Sequence, residues 1–319
     1  MKNKILILSG DPNSINSEVI YKSFKKIKLS VRKKIYLITN YNLIKKQLNK
    51  LKYKMKFINV KDINENVNSN KIKIVNVDIK FKNPFKISKN ISSKFIYSSL
   101  NLAHKYALNH NVSGIINCPI NKNLLVSSKT GVTEYLASKC SVKDNSEVML
   151  IRNKNLSVAP VTTHVDIKNV SKGITANKIV KKIMTIQKWY KNKNKKKPII
   201  GILGLNPHNA EYRKLSEEKK IIIPVVKKLK KIGIKIKGPL VADTLFIEDF
   251  KNYDVIVGMF HDQVLAPFKS IFKYDAINIT LGLNYLRVSP DHGVAIDLIG
   301  KNKANPQSLI ECINFLNKS

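Results

Sequence analysis

The chain has 319 residues, 43% hydrophobic and 25% charged, with a formal net charge of +37. This supports one large or two medium domains of ordinary globular composition, and no apolar run approaches the roughly 20 residues that cross a bilayer. The charge raises nucleic-acid binding, yet only Arg32, Arg152, Arg213 and Arg287 of the 58 cationic side chains are arginines, and base readout and bidentate phosphate recognition favour arginine. Lysine spread along the whole chain, together with abundant Asn and Ile, reads as biased codon usage, so neither nucleic acid nor membrane is expected as a partner.

In chain order, residues 5–9 read as a buried strand, too short to be a secretory leader. GDPNSINSE follows, then a helix with Ser14, Asn16 and Ser17 as cap candidates. Residues 35–39, 57–60 and 72–79 read as strands. Residues 92–110 form a helical pattern with Phe95, Leu102 and Tyr106 at helix spacing, running into a strand over 112–120. Residues 147–164 read as two strands joined by a tight turn at 153–155. A helix over 174–190, a strand with its exit loop over 198–208, and a helix over 216–233 closed by Gly233 follow. Residues 255–263 and 276–283 read as strands, and 305–318 as the last helix. The alternation predicts an α/β fold with mixed, mostly parallel sheets and helices on both faces.

Cys118, Cys140 and Cys312 are odd in number, far apart and without a CxxC pair. They read as free thiols in a reducing compartment, and the cytoplasm is expected. Of the six histidines, His104 and His110 share one helix and read as packing or surface residues. His164, His208 and His261 each follow a strand-like run. Ligands of parallel sheets bind at the carboxyl ends of strands, so three imidazoles arriving there make a candidate divalent-metal site. Arg287 offers a planar fork for phosphate or carboxylate, against a structural salt bridge as the competing reading. Lys269 is a further candidate anion holder, and Asn278 lies between the two. GDPNSINSE is neither GxGxxG nor GxxxxGK[ST], so a dinucleotide would bind by another arrangement.

Six segments together resemble the 4-hydroxythreonine-4-phosphate dehydrogenases of pyridoxal 5′-phosphate biosynthesis. They are GDPxxINSE (10–18), TTH (162–164), GLNPH (204–208), GPLVADTLF (238–246), HDQVLAPFK (261–269) and NITLGLNYLRVSPDHGVAIDLIGKNKANPQSLI (278–310), in family order over nearly the whole chain. DHGVAIDLIGK also resembles the adenosine loop of the isocitrate and isopropylmalate dehydrogenases, whose two-domain fold the family shares. The resemblance implies a first domain of residues 1–125 and 290–319 and a second of 126–289, with the active site in the cleft between them. The second would carry the dimer interface and much of the metal and substrate site.

The resemblance also implies roles. His164, His208 and His261 would hold one divalent ion (zinc, cobalt, nickel, magnesium or manganese), shared across a homodimer. Thr133, Lys269, Asn278 and Arg287 would contact substrate, largely at its phosphate and carboxylate end. His292 and Gly293 would lie near the adenine side of NAD, with NADP as the alternative. Asp243 and Asp262, by location, would take the hydroxyl proton or orient a metal-bound histidine. The implied reaction oxidises 4-phosphooxy-L-threonine with NAD to a β-keto acid, which loses carbon dioxide to give 3-amino-2-oxopropyl phosphate. Three departures stand out: Val132 replaces the family's histidine, the first loop has Ser14, Asn16 and Ser17 instead of glycines, and the segment after GLNPH lacks glycine. Val132 leaves a dehydrogenase of threonate or erythronate 4-phosphate as the alternative.

Overall fold

The structure is a computed structural model that describes residues 4–318 apart from 66, 68, 109–111, 126–130, 143–145 and 274. The chain begins with β1 (Lys4–Leu8), α1 (Asn16–Lys26), α2 (Leu29–Arg32), β2 (Ile35–Thr39), α3 (Tyr41–Lys50), β3 (Phe57–Val60), β4 (Ile72–Asn76), α4 (Lys89–Leu108), β5 (Val112–Asn117) and α5 (Val132–Lys139). It continues with β6 (Val148–Arg152), β7 (Ser157–Thr162), α6 (Val170–Gly173), α7 (Ala176–Asn194), β8 (Ile200–Leu203), α8 (Ile223–Lys231), β9 (Ile236–Leu240) and α9 (Ala242–Leu245). β10 (Val255–Phe260), α10 (His261–Phe272), β11 (Ile277–Leu281), β12 (Arg287–Pro290) and α11 (Gln307–Asn317) complete it. Two compact units result: Met1–Ser141 with Leu283–Ser319, and Val142–Gly282. The sequence-based boundaries lay at 125/126 and 289/290; here α5 and β12 belong to the first unit.

In the first unit the strand order is β3-β4-β2-β1-β5-β12, and every neighbouring pair is parallel. Such strands are covered on both faces, which is why β1 and β2 read as unbroken apolar runs. Val19, Ile20 and Phe24 of α1, Leu43 and Leu48 of α3, Phe95 and Leu100 of α4, and Ile313 and Leu316 of α11 are buried with them. Each such side chain stabilises the fold by about 1.5–3 kcal/mol. Gly10, just beyond β1, has φ +73 and lies where a Cβ would come 2.5 Å from the Pro119 carbonyl oxygen, so only glycine fits. Ser14, Asn16 and Ser17 do not cap α1, whose N-cap is Ile15 without a side-chain bond. Ser14 and Asn16 tie the loop down instead. Ser14 Oγ donates to the Asp11 carbonyl (2.5 Å), and Asn16 Nδ2 donates to the carbonyls of Ser9 and Pro119 (2.9 Å each).

In the second unit the order is β11-β6-β7-β10-β8-β9. β7, β10, β8 and β9 run parallel, while β6 is antiparallel to both β7 and β11. The tight turn between β6 and β7 is an Asx turn, Asn153 Oδ1 accepting from the amides of Asn155 and Leu156 at 2.8 Å each. Leu203, Leu245, Phe250, Ile256, Val264 and Phe268 belong to its core. α2, α3, α5, α6, α9, β9 and β12 have no counterpart in the sequence reading, and two expected elements take a different form. The strand expected over 255–263 stops at Phe260, and His261 opens α10. The helix expected over 216–233 begins as a π-helical turn, Glu218–Ile222, before α8. His110 lies outside the described residues. No helix among the described residues is long and apolar enough to cross a membrane.

Candidate active site

In the second unit β7, β10 and β8 are parallel neighbours, so the segments leaving them emerge at one edge of the sheet. His164 follows β7 by two residues, and His261 directly follows β10. Their rings meet, with centroids 5.8 Å apart and planes inclined at 38°. His261 Nδ1 lies 2.6 Å from Asp262 Oδ1. With Nδ1–H donating to that carboxylate, Nε2 is the ring nitrogen a metal would take.

His208 follows β8 in an exposed turn. Five consecutive residues there, His208 to Tyr212, have φ between +47 and +56, and none is glycine. Left-handed backbone costs roughly 1–2 kcal/mol per such residue, and strain of this kind persists only where its surroundings over-determine it. The turn is held from several sides. Buried Glu218 Oε1 accepts from the amides of Leu205 and Asn206, both at 2.8 Å, and Asn206 Nδ2 also donates to Glu218 Oε2 (3.1 Å). Asn209 Nδ2 donates to the Pro239 carbonyl at 3.2 Å. Gln263, in the first turn of α10, donates to the Gly204 carbonyl and accepts from the Met259 amide, each at 2.7 Å. No group of three His, Cys, Asp or Glu side chains is placed to hold a metal ion among the described residues.

Asp243 is exposed in the first turn of α9, which packs against the His208 turn. Lys269 is exposed in the last turn of α10. Asn278 on β11 is half-buried, and its Oδ1 is a buried acceptor without a hydrogen-bond partner.

The first unit holds Arg287, Thr133, His292 and Gly293. Arg287 is buried on β12. Its Nε donates to Asn117 Oδ1 at 2.6 Å, and its Nη1 to Thr133 Oγ1 at 3.2 Å. Burial lowers its pKa to about 10, opposed by the nearby Glu134 carboxylate, so it remains a cation at neutral pH. Thr133 sits in the first turn of α5, where Glu134 Oε2 accepts from the Gly131 amide at 2.9 Å. Val132 lies beside it. His292 Nδ1 lies 2.9 Å from the Gly293 carbonyl, and its buried Nε2 has no partner. Burial holds its pKa below the usual imidazole value, so the neutral ring donates from Nδ1 and presents Nε2 as an acceptor. Gly293 faces open space.

The structure therefore pairs His164 with His261 and Thr133 with Arg287. Sequence reasoning missed Asn117 and Glu218. A single Asn ending a strand carries no periodic signal, and Glu218 stands in SEEKK, which reads as a solvated helix face.

The family described as "Pyridoxal phosphate biosynthetic protein PdxA" matches residues 31–316. The chain belongs to the PdxA family. A 4-hydroxythreonine-4-phosphate dehydrogenase of Sulfurihydrogenibium sp. is 37% identical, covering 98% of this chain and 97% of its own length. One of Aquifex aeolicus is 36% identical, covering 99% and 98%. The crystal structure of a 4-hydroxythreonine-4-phosphate dehydrogenase from Klebsiella pneumoniae superposes with TM-score 0.87 at 25% identity, over 100% of this chain and 98% of that one. An isocitrate dehydrogenase from Methylococcus capsulatus, 10% identical with TM-score 0.52, shares the fold. This PdxA-family chain is thus of mixed α/β architecture, and its named relatives are oxidoreductases of pyridoxal phosphate biosynthesis.

Proposed function

We propose that the protein is a 4-hydroxythreonine-4-phosphate dehydrogenase dependent on NAD and a divalent metal. It oxidises 4-phosphooxy-L-threonine to a β-keto acid, which loses carbon dioxide to leave 3-amino-2-oxopropyl phosphate. The observation that carries this reading is end-to-end similarity to dehydrogenases of that name.

The donor set suits the implied ion: two facing imidazoles, one already tied at Nδ1 by Asp262. His164, His208 and His261 hold it, one of the three coming from the second subunit of a homodimer. Large exposed apolar side chains of the second unit support a covering subunit: Ile167 and Leu215, shortly after His164 and His208 in sequence, are 73% and 74% exposed, and Ile247 is 72% exposed. When bound, the ion supplies Lewis-acid polarisation of the substrate hydroxyl, and NAD supplies the hydride acceptor. Arg287, preset by Asn117 and Thr133, grips the anionic end of the substrate as a fork; Lys269, in the second unit, is a further anion holder. Asn278 Oδ1 accepts from a substrate N–H or O–H. Asp262 is engaged with His261, which leaves Asp243 to take the hydroxyl proton. His292 Nε2 accepts from the adenine amino group of NAD beside Gly293. Three buried free thiols suit a reducing, cytoplasmic setting.

Val132 supports a second reading, in which threonate or erythronate 4-phosphate is the substrate. An NADH absorbance assay with 4-phosphooxy-L-threonine and both sugar-acid phosphates, each with and without chelator, decides. We expect NADH from the first, abolished by chelation. NADH from the sugar acids alone selects the second reading, and NADH from none rejects both.

A further inference from the structure

We propose that Glu218 is the positioning residue of the His208 turn, and that Gln263 transmits that position to His261. The inference rests on the reading of His164, His208 and His261 as metal ligands.

Glu218 is wholly buried in a chain of net charge +37, yet it forms no ion pair among the described residues. Its partners are neutral: two successive amides and one side-chain amide, all at the entrance to the turn that carries His208. A buried carboxylate needs its lone pairs filled, and here the donors that fill them belong to the turn itself. The turn cannot relax away without leaving the charge unsatisfied. Five left-handed non-glycine residues are thereby kept in a conformation they disfavour. The packing is close. A Cβ at Gly204 would come 2.1 Å from Asn209 Oδ1 and 3.1 Å from Glu218 Oε1, so the loop start, the carboxylate and the turn fit as one piece.

Gln263 supplies the second link. Its side chain joins the Met259 amide, at the end of the strand that delivers His261, to the Gly204 carbonyl, at the start of the loop that delivers His208. Two strand exits carrying two proposed ligands are thus joined through one amide group. A donor set shared with a second subunit forms only if each chain presents its rings at a fixed separation, and Glu218 with Gln263 fixes that separation.

The test is a Co2+ titration of metal-stripped, full-length protein, read by the visible absorption of the bound ion, beside thermal unfolding and steady-state kinetics. The variants are Glu218→Gln, Gln263→Ala and His208→Ala. Glu218→Gln keeps the shape but turns one acceptor oxygen into a donor facing donors. We expect Co2+ binding weakened about ten- to a hundredfold in Glu218→Gln, as removal of a residue supporting a metal ligand typically does. We expect a smaller loss in Gln263→Ala, and in both variants a fall in kcat with KM little changed. Gln263→Ala carries the test should Glu218→Gln fail to fold. Wild-type Co2+ affinity in either folded variant, with His208→Ala defective, overturns the inference and leaves the ligand reading intact; a lowered melting temperature alone counts as that outcome. Absence of Co2+ binding by the wild type, or wild-type binding by His208→Ala, overturns the ligand reading and this inference with it.

Discussion

The two units solve opposite problems of placing charge. In the first, Arg287 is buried at the end of an all-parallel sheet, its guanidinium already engaged by the neutral oxygens of Asn117 and Thr133. In the second, the histidines stand at the surface of a mixed sheet, where the rings of His164 and His261 meet and, among the described residues, no group of three is placed to hold a metal. A guanidinium fork can be given its fixed orientation in advance by neutral partners. Rings proposed to admit an ion have to stay open, and their precision then depends on the backbone beneath them.

Substitutions can break that contrast. The largest effect is expected from Arg287→Met, which removes the fork and leaves Asn117 Oδ1 buried without a donor. kcat/KM for the phosphorylated substrate should fall about a hundredfold or more, equivalent to about 2.7 kcal/mol and mostly in KM. Co2+ affinity should stay at the wild-type value, and a parallel loss of metal would erase the distinction between the units. Arg287→Lys should recover little, because an ammonium cannot meet both oxygens in one plane.

His261→Ala should do the reverse, with Co2+ affinity falling at least about tenfold. The thermal shift produced by the phosphorylated substrate through Arg287 should largely persist. Its disappearance would show that the two sites act as one.

A smaller effect is expected in acid. Burial opposes the charge on Glu218, but hydrogen bonds from Asn206 and Leu205 outweigh it and hold its pKa below the ordinary 4.5. A carboxylate depressed in the folded state contributes stability above its unfolded pKa, and loses it as pH falls through the folded one. Denaturant unfolding below about pH 4.5 should therefore show a steeper decline for wild type than for Glu218→Gln. Superimposable slopes would mean that the turn does not sense this charge.

The smallest effect is expected from Glu211→Gly, at φ +47 on the exposed turn. Relief of left-handed strain slightly exceeds the entropy glycine adds to the unfolded chain. The net gain should be below about 1 kcal/mol, visible as ~2 °C in the melting temperature. A lower melting temperature would show that the turn is not strained.

Much of the fold was legible because parallel strands must be apolar on both faces, and runs such as ILIL, IYLIT and VIVGMF announce themselves. β12 was not, because RVSP is short, contains an arginine and ends in a proline that suits only a strand margin. The strand-exit positions of His164 and His261 could be read from the polar residues that end each run. The start of α10 at His261 could not, since HDQ continues a strand as plausibly as it opens a helix. Asn117 and Glu218 stayed hidden for a common reason. Each acquires meaning only through a partner remote in sequence, Arg287 for one and the Leu205–Asn206 amides for the other.

The three thiols carry one more consequence. Cys118, Cys140 and Cys312 all belong to the first unit, all are buried, and burial pushes the Cys118 pKa up to about 12. An alkylating reagent at neutral pH meets only buried thiols in the native molecule, and almost no thiolate at Cys118. Because the second unit contains no cysteine, each alkylation event is a clock tick for opening of the first unit alone, and the molecule carries its own reporter for which half loosens first.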